Sequence, residues 1–95
     1  MGELRFEWDP AKAAANLRKH GVSFGEAQTV FWDERGRLIE DPEHSAGEER
    51  FVLLGLSARL RILVVVHYYE VEPDTIGIIS ARKATRRERA RYEEG

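Results

Sequence analysis

Apolar and charged residues alternate along Leu4–Trp8 (LRFEW), the period-two signature of a half-buried strand at a sheet edge. The pattern then changes. In DPAKAAANLRKHG, Asp9 suits a helix N-cap and Pro10 the first helical position. Alanine, leucine and lysine propagate the helix, and Gly21 suits the residue just past its end, with Lys19 and His20 complementing the negative terminus. SFGEAQTVFWD predicts a second helix: Ser23 and Glu26 have capping-box spacing, and Phe24, Ala27, Val30 and Phe31 share a stripe. RLIED predicts a short strand, PEHSAGEE a polar loop, RFVLLGLS a strand and ARL a turn. RILVVVHYYEV predicts a long strand, and its unbroken ILVVV suits a central strand covered on both faces. EPD reads as a turn and TIGIISA as the last strand. Thr85 and Glu88 form another capping box that opens a helix to about Glu94.

The predicted order is β-α-α-β-β-β-β-α. Short connections between the last strands imply antiparallel pairing. The expected fold is α+β: an antiparallel sheet of four to five strands, two N-terminal helices on one face, and a C-terminal helix. Its 95 residues are read as one domain, 1–95.

Composition narrows the function classes. There is no cysteine, so a disulfide framework and a zinc–thiolate site are excluded and a reducing cytoplasm is expected. The longest apolar run, Ile62–Val66, is too short to span a bilayer, and Glu3, Glu7 and Asp9 occupy the place of a signal peptide's apolar core. No membrane partner is expected. There is no glycine-rich phosphate loop and no G-x-S-x-G elbow. His20, His44 and His67 are far apart. Asp41, His44, Glu48 and Glu49 make only a weak loop site, so no metal or other cofactor is expected.

Charge is lopsided. The chain carries a formal net charge of −2, yet Arg82–Arg91 holds six basic residues against the single acid Glu88. A basic patch within an acidic protein can still grip phosphate.

Strand parity supplies candidates for chemistry, since alternate side chains share a face. Arg61, Leu63, Val65, His67 and Tyr69 point one way; Ile76, Ile78, Ser80 and Arg82 share another set. If register joins the two sets, Arg61, His67, Ser80 and Arg82 form a polar group at the sheet margin. Guanidinium groups that stay charged, beside a histidine or carboxylate able to move a proton, suit RNA cleavage through the 2′-hydroxyl without metal. Each candidate also has a structural reading. His67 fits a hydrogen-bonded core histidine and Arg61 a charge at a strand end. Arg86, Arg87, Arg89 and Arg91 fit a solvated helix face, and Glu88 fits a cap.

The segments FEWDPAKAAANLRKHGVSFGEAQTVFWD, DPEHSAGEERFVLLGLS, RILVVVHYYE and IISARKATRRERARYEE, in this order, resemble the BrnT family. Specific in combination are N-L-x-K-H-G-V-x-F, D-P-x-H-S and I-S-A-R-x-A-T-x-x-E-R-x-x-Y-E, and the likeness runs from Phe6 to Glu94. The resemblance implies a RelE-like fold and an RNA-cleaving toxin of a type II toxin–antitoxin pair that inhibits translation and growth. It implies a BrnA-like antitoxin as partner, DNA contact only through that antitoxin, and room for a dimer of toxin–antitoxin heterodimers. Carried over residue by residue, it makes Arg82, His67, Arg61 and Glu49 the catalytic candidates. Lys83, Arg86 and Arg50 are the RNA contacts, and Arg87 and Arg91 the antitoxin contacts.

Two positions depart from the family pattern. Gly77 stands where relatives often carry arginine, and Leu60 stands where they often have a turn glycine. By parity Gly77 faces away from Arg82. The first departure leaves a second expectation open: a weak or inactive toxin homologue that binds antitoxin and helps repress the operon. A direct nucleic-acid-binding role for the last helix is disfavoured by Glu88, Glu93 and Glu94.

Overall fold

A computed structural model of the chain describes residues 4–39, 49–71 and 74–94. The elements follow the predicted order: β1 (Arg5–Glu7), α1 (Pro10–His20), α2 (Phe24–Thr29) with a 3-10 turn at Val30–Trp32, β2 (Arg37–Ile39), β3 (Phe51–Leu56), β4 (Ile62–Glu70), β5 (Thr75–Lys83) and α3 (Arg86–Glu93). No described helix is long and apolar enough to cross a membrane.

The ends of α1 form as their residues dictate. The Asp9 carboxylate accepts the Ala11 N–H at 2.8 Å, and Gly21 takes φ 69°, donating its N–H back to the Leu17 carbonyl. Thr85 and Glu88 complete both halves of a capping box on α3. At α2 only one half forms. Ser23 accepts the Glu26 N–H, but the Glu26 side chain turns inward to Arg61 and Ser57. A carboxylate can serve a helix end or a buried partner, and here the partner takes it.

The sheet has five strands in the order β1-β5-β4-β3-β2. Strands β2 to β5 pair antiparallel, with short connections joining the last three, but β1 runs parallel to β5, with Phe6 beside Ile76. The sheet is therefore mixed, not purely antiparallel. The argument from short connections applies only to the last three strands. β1 leaves through two helices, and that longer path allows a parallel return.

β4 is central and covered on both faces. On one face Leu63, Val65, Ile78 and Ala81 pack with Val22, Phe24, Ala27 and Val30 from the helical layer. On the other, Val52, Leu54 and Val64 pack with Ala84 and Tyr92 from the α3 side. Asn16 ties α1 to β5: its amide nitrogen donates to the Val22 and Ala81 carbonyls at 2.9 and 2.8 Å, and its oxygen accepts the Ala81 N–H at 3.1 Å.

One irregularity decides where the functional side chains point. Val66 pairs with Ser80, yet His67 pairs with Ile78, so Ile79 is an extra residue in β5. Ile76 and Ile78 face the α1–α2 layer, whereas Ser80 and Arg82 lie opposite Val66 and Val64 on the α3 face.

Candidate active site

The bulge separates the polar group that uninterrupted parity would assemble. Arg61 and His67 lie on the helical face and Ser80 and Arg82 on the α3 face, so the four do not meet. Arg61 and His67 are also about 20 Å apart along the strand, six residues at about 3.3 Å each.

Arg61 is held by a local network. Its guanidinium donates to both Glu26 oxygens, one through Nε at 2.9 Å, and to the Gly21 carbonyl at 3.1 Å. The Ser57 hydroxyl donates to Glu26 at 2.7 Å. Arg61 lowers the Glu26 carboxyl below its usual range despite burial, and Glu26 in turn raises Arg61. This network clamps the β3–β4 turn to α2. In that turn Leu60 adopts φ 63°, a conformation that glycine would take without strain.

His67 is buried. Its ring meets Phe31 edge-on at 4.8 Å and lies 6.0 Å from Phe51, with Nδ1 3.1 Å from the Val65 carbonyl oxygen. Burial lowers its proton affinity, with the Val65 contact opposing. It lines an apolar groove of about 420 Å³ with Phe31, Leu38, Phe51 and Tyr69.

The α3 face gathers the other candidates. Phe51 stands opposite His67 on the helical side, and Arg50, one residue earlier, lies near Tyr68. Glu49, Arg50, Tyr68 and Lys12 line one depression of about 310 Å³. Along the same face, Ser80 lies opposite Val66 and Arg82 opposite Val64. The step from Tyr68 to Val64 spans about 13 Å at the ordinary strand rise. Arg82 donates to both Glu88 oxygens, at 2.7 and 3.0 Å, and this pairing, with the Thr85 N–H, pulls the Glu88 carboxyl down to about 2.

The remaining basic candidates are exposed. Lys83 pairs with Leu63 and so faces away from Arg82. Arg86 opens α3, and Arg87 and Arg91 stand one turn apart on its outer surface. Glu48, Asp41 and His44 lie outside the described residues. Among the described residues no three histidine or acidic side chains are grouped to hold a metal ion.

Sequence reading missed Tyr68. Its ring crosses β5 over Gly77, where an added Cβ would lie 1.8 Å from the ring. Its hydroxyl donates to Glu7, and this bond pushes the phenol up to about 12. The bulge also places Gly77, the partner of Tyr68, on the same face as Arg82, contrary to simple parity. A tyrosine paired with glycine across a strand was the available signal, but it needs the register to be read.

The family model described as "Ribonuclease toxin, BrnT, of type II toxin-antitoxin system" matches residues 8–88. Among solved structures, the crystal structure of the Brucella abortus ribonuclease toxin BrnT is similar in fold, with a TM-score of 0.66 at 21% identity. The match covers 88% of this chain and 100% of that one. No curated protein matches the sequence.

Proposed function

Because the chain belongs to the BrnT family of ribonuclease toxins of type II toxin–antitoxin systems, we propose that it cleaves RNA on the α3 face of its sheet without a metal ion. The observation that carries this reading is the gathering of Glu49, Arg50 and Tyr68 in one depression, on the face that also bears Arg82. In the proposed reaction Glu49 takes the 2′-hydroxyl proton. The freed oxygen attacks the adjacent phosphorus, and the 5′-oxygen leaves with a proton taken from water, giving a 2′,3′-cyclic phosphate and a 5′-hydroxyl. Arg50 and Arg82 hold the phosphates, since guanidinium keeps its charge near neutral pH. Arg86, at the start of α3, extends contact to the RNA, and Lys83, the last residue of β5, reaches it around the strand end. Arg61 and His67 serve structure: one clamps a turn and the other lies in an apolar layer on the opposite face. The reading takes the fold as RelE-like and the setting as cytoplasmic.

Membership in a type II family implies an antitoxin partner. We place it on the outer stripe of α3 through Arg87 and Arg91. It would bring DNA only indirectly, and two such heterodimers could pair.

The test is RNA cleavage by the purified chain in excess EDTA beside Arg82→Ala. Expected are cyclic-phosphate ends and a loss of about 100-fold in the variant, corresponding to about 3 kcal/mol of transition-state stabilisation. Silence on free RNA and on translating ribosomes would overturn the reading. It would favour instead an antitoxin-binding, co-repressing homologue without activity. The observation on that side is Gly77, which carries no side chain where relatives often carry arginine.

A further inference from the structure

A second depression, of about 290 Å³, adjoins the first and shares Lys12, Tyr68 and Ile79 with it. Its other walls include Glu7 and Trp8. The two differ in chemistry. The first holds the cations Lys12 and Arg50. The second sets two aromatic rings beside two carboxylates, Glu7 and Asp9, of which Asp9 is engaged in capping α1. Both rings are held in place. Trp8 meets Phe24 of the core edge-on at 6.0 Å and stays partly exposed. Tyr68 is fixed over Gly77 and bonded through its hydroxyl to Glu7.

We infer that the depression between Trp8 and Tyr68 receives one unstacked base of the RNA, while Lys12 and Arg50 hold the neighbouring phosphate. The inference rests on the ribonuclease reading and adds a base-specific subsite to it. Aromatic rings stack on any base, so they supply affinity without choice. Choice comes from Glu7. A carboxylate only accepts hydrogen bonds, so it favours a base edge that presents N–H donors. Guanine presents two side by side, at N1 and N2, and is the base this wall fits best. The phenol bonded to Glu7 keeps its proton at neutral pH, so one carboxylate oxygen stays engaged and the carboxylate is held in a fixed orientation.

The experiment measures binding, not cleavage. Four fluorescein-labelled 2′-O-methyl pentanucleotides, identical except for a central G, A, C or U, are titrated against the purified chain. The 2′-O-methyl group removes the nucleophile, so a bound complex persists. Wild type should bind the G probe about tenfold more tightly than the U probe, with Glu7→Gln flattening that preference. Trp8→Ala and Tyr68→Ala should each weaken all four by about tenfold. Tyr68→Phe, which keeps the ring and is the safeguard against misfolding, should retain overall affinity and lose part of the G preference. If wild type binds all four equally and the variants match it, the subsite is overturned while the ribonuclease reading stands. If wild type binds none and also cuts no RNA, both fall.

Discussion

Arg82 and Glu88 meet across the corner between β5 and α3, and the carboxylate that takes both guanidinium nitrogens also closes the helix cap through the Thr85 N–H. One residue thus fixes the first turn of α3 and aims the arginine proposed to hold phosphate. Removing it should disturb both. Glu88→Gln is expected to cost about 1–2 kcal/mol, in the range of a lost cap. The sign with pH follows from the lowered carboxyl. Glu88's contribution is complete above its ordinary value of 4.5 and is lost as pH falls toward about 2. Thermal melts should therefore separate wild type from variant near neutrality and converge in acid.

His67 should matter for stability and not for cleavage. Burial favours its neutral ring, so its share of stability is complete above the ordinary value of 6.5 and declines as pH falls below it. His67→Phe preserves the aromatic packing with Phe31 and Phe51. It should melt with a shallower acid slope below pH 6.5. RNA cleavage should be unchanged. A large loss of cleavage would return His67 to the chemistry and overturn the assignment of the α3 face.

Leu60 is strained for no gain in packing. Its φ is 63° and it is 78% exposed, so Leu60→Gly removes little contact. The substitution should stabilise the turn by roughly 1 kcal/mol, the left-handed penalty less glycine's entropy. A denaturant midpoint that rises with an unchanged slope would show it; a fall would mean Leu60 packs against something on this face.

Asn16→Ala should be severe. The amide makes three hydrogen bonds in a buried setting, to Val22 and to both backbone groups of Ala81. Its loss leaves those groups unpaired, at roughly 2–4 kcal/mol. Hydrogen exchange should then report faster exchange at the Ala81 amide before the rest of β5 opens.

The sequence was most legible where a residue acts on its own neighbours. Asp9, Gly21 and Thr85 each name a helix end through bonds that span a few residues, and all three act as expected. The strands of the second half were legible for the same reason, since short turns leave antiparallel pairing as the only path. Legibility fell where partners are distant. Ser23 and Glu26 have the spacing of a capping box, but nothing local discloses that Arg61, thirty-five residues away, claims the carboxylate. The parallel partnership of β1 was hidden by the two helices and three strands that separate it from β5 in the chain. Ile79 matters most. One unpaired residue reverses the parity of everything before it in β5, so the single face that even alternation gives to Arg61, His67, Ser80 and Arg82 does not form.

That extra residue also constrains how the chain can vary. Among the positions of β5, the bulge is the one that can be lost without turning the rest of the strand over. Deleting a single codon at Ile79 would restore an even pleat. The pairs on either side, Val66 with Ser80 and His67 with Ile78, would then follow one another directly, so Ile76 and Ile78 would stay in the helical layer and Gly77 would stay beside Tyr68. Lineages descended from such a chain should therefore tolerate loss of the residue at 79 more readily than a side chain at 77, where the Tyr68 ring fills the space.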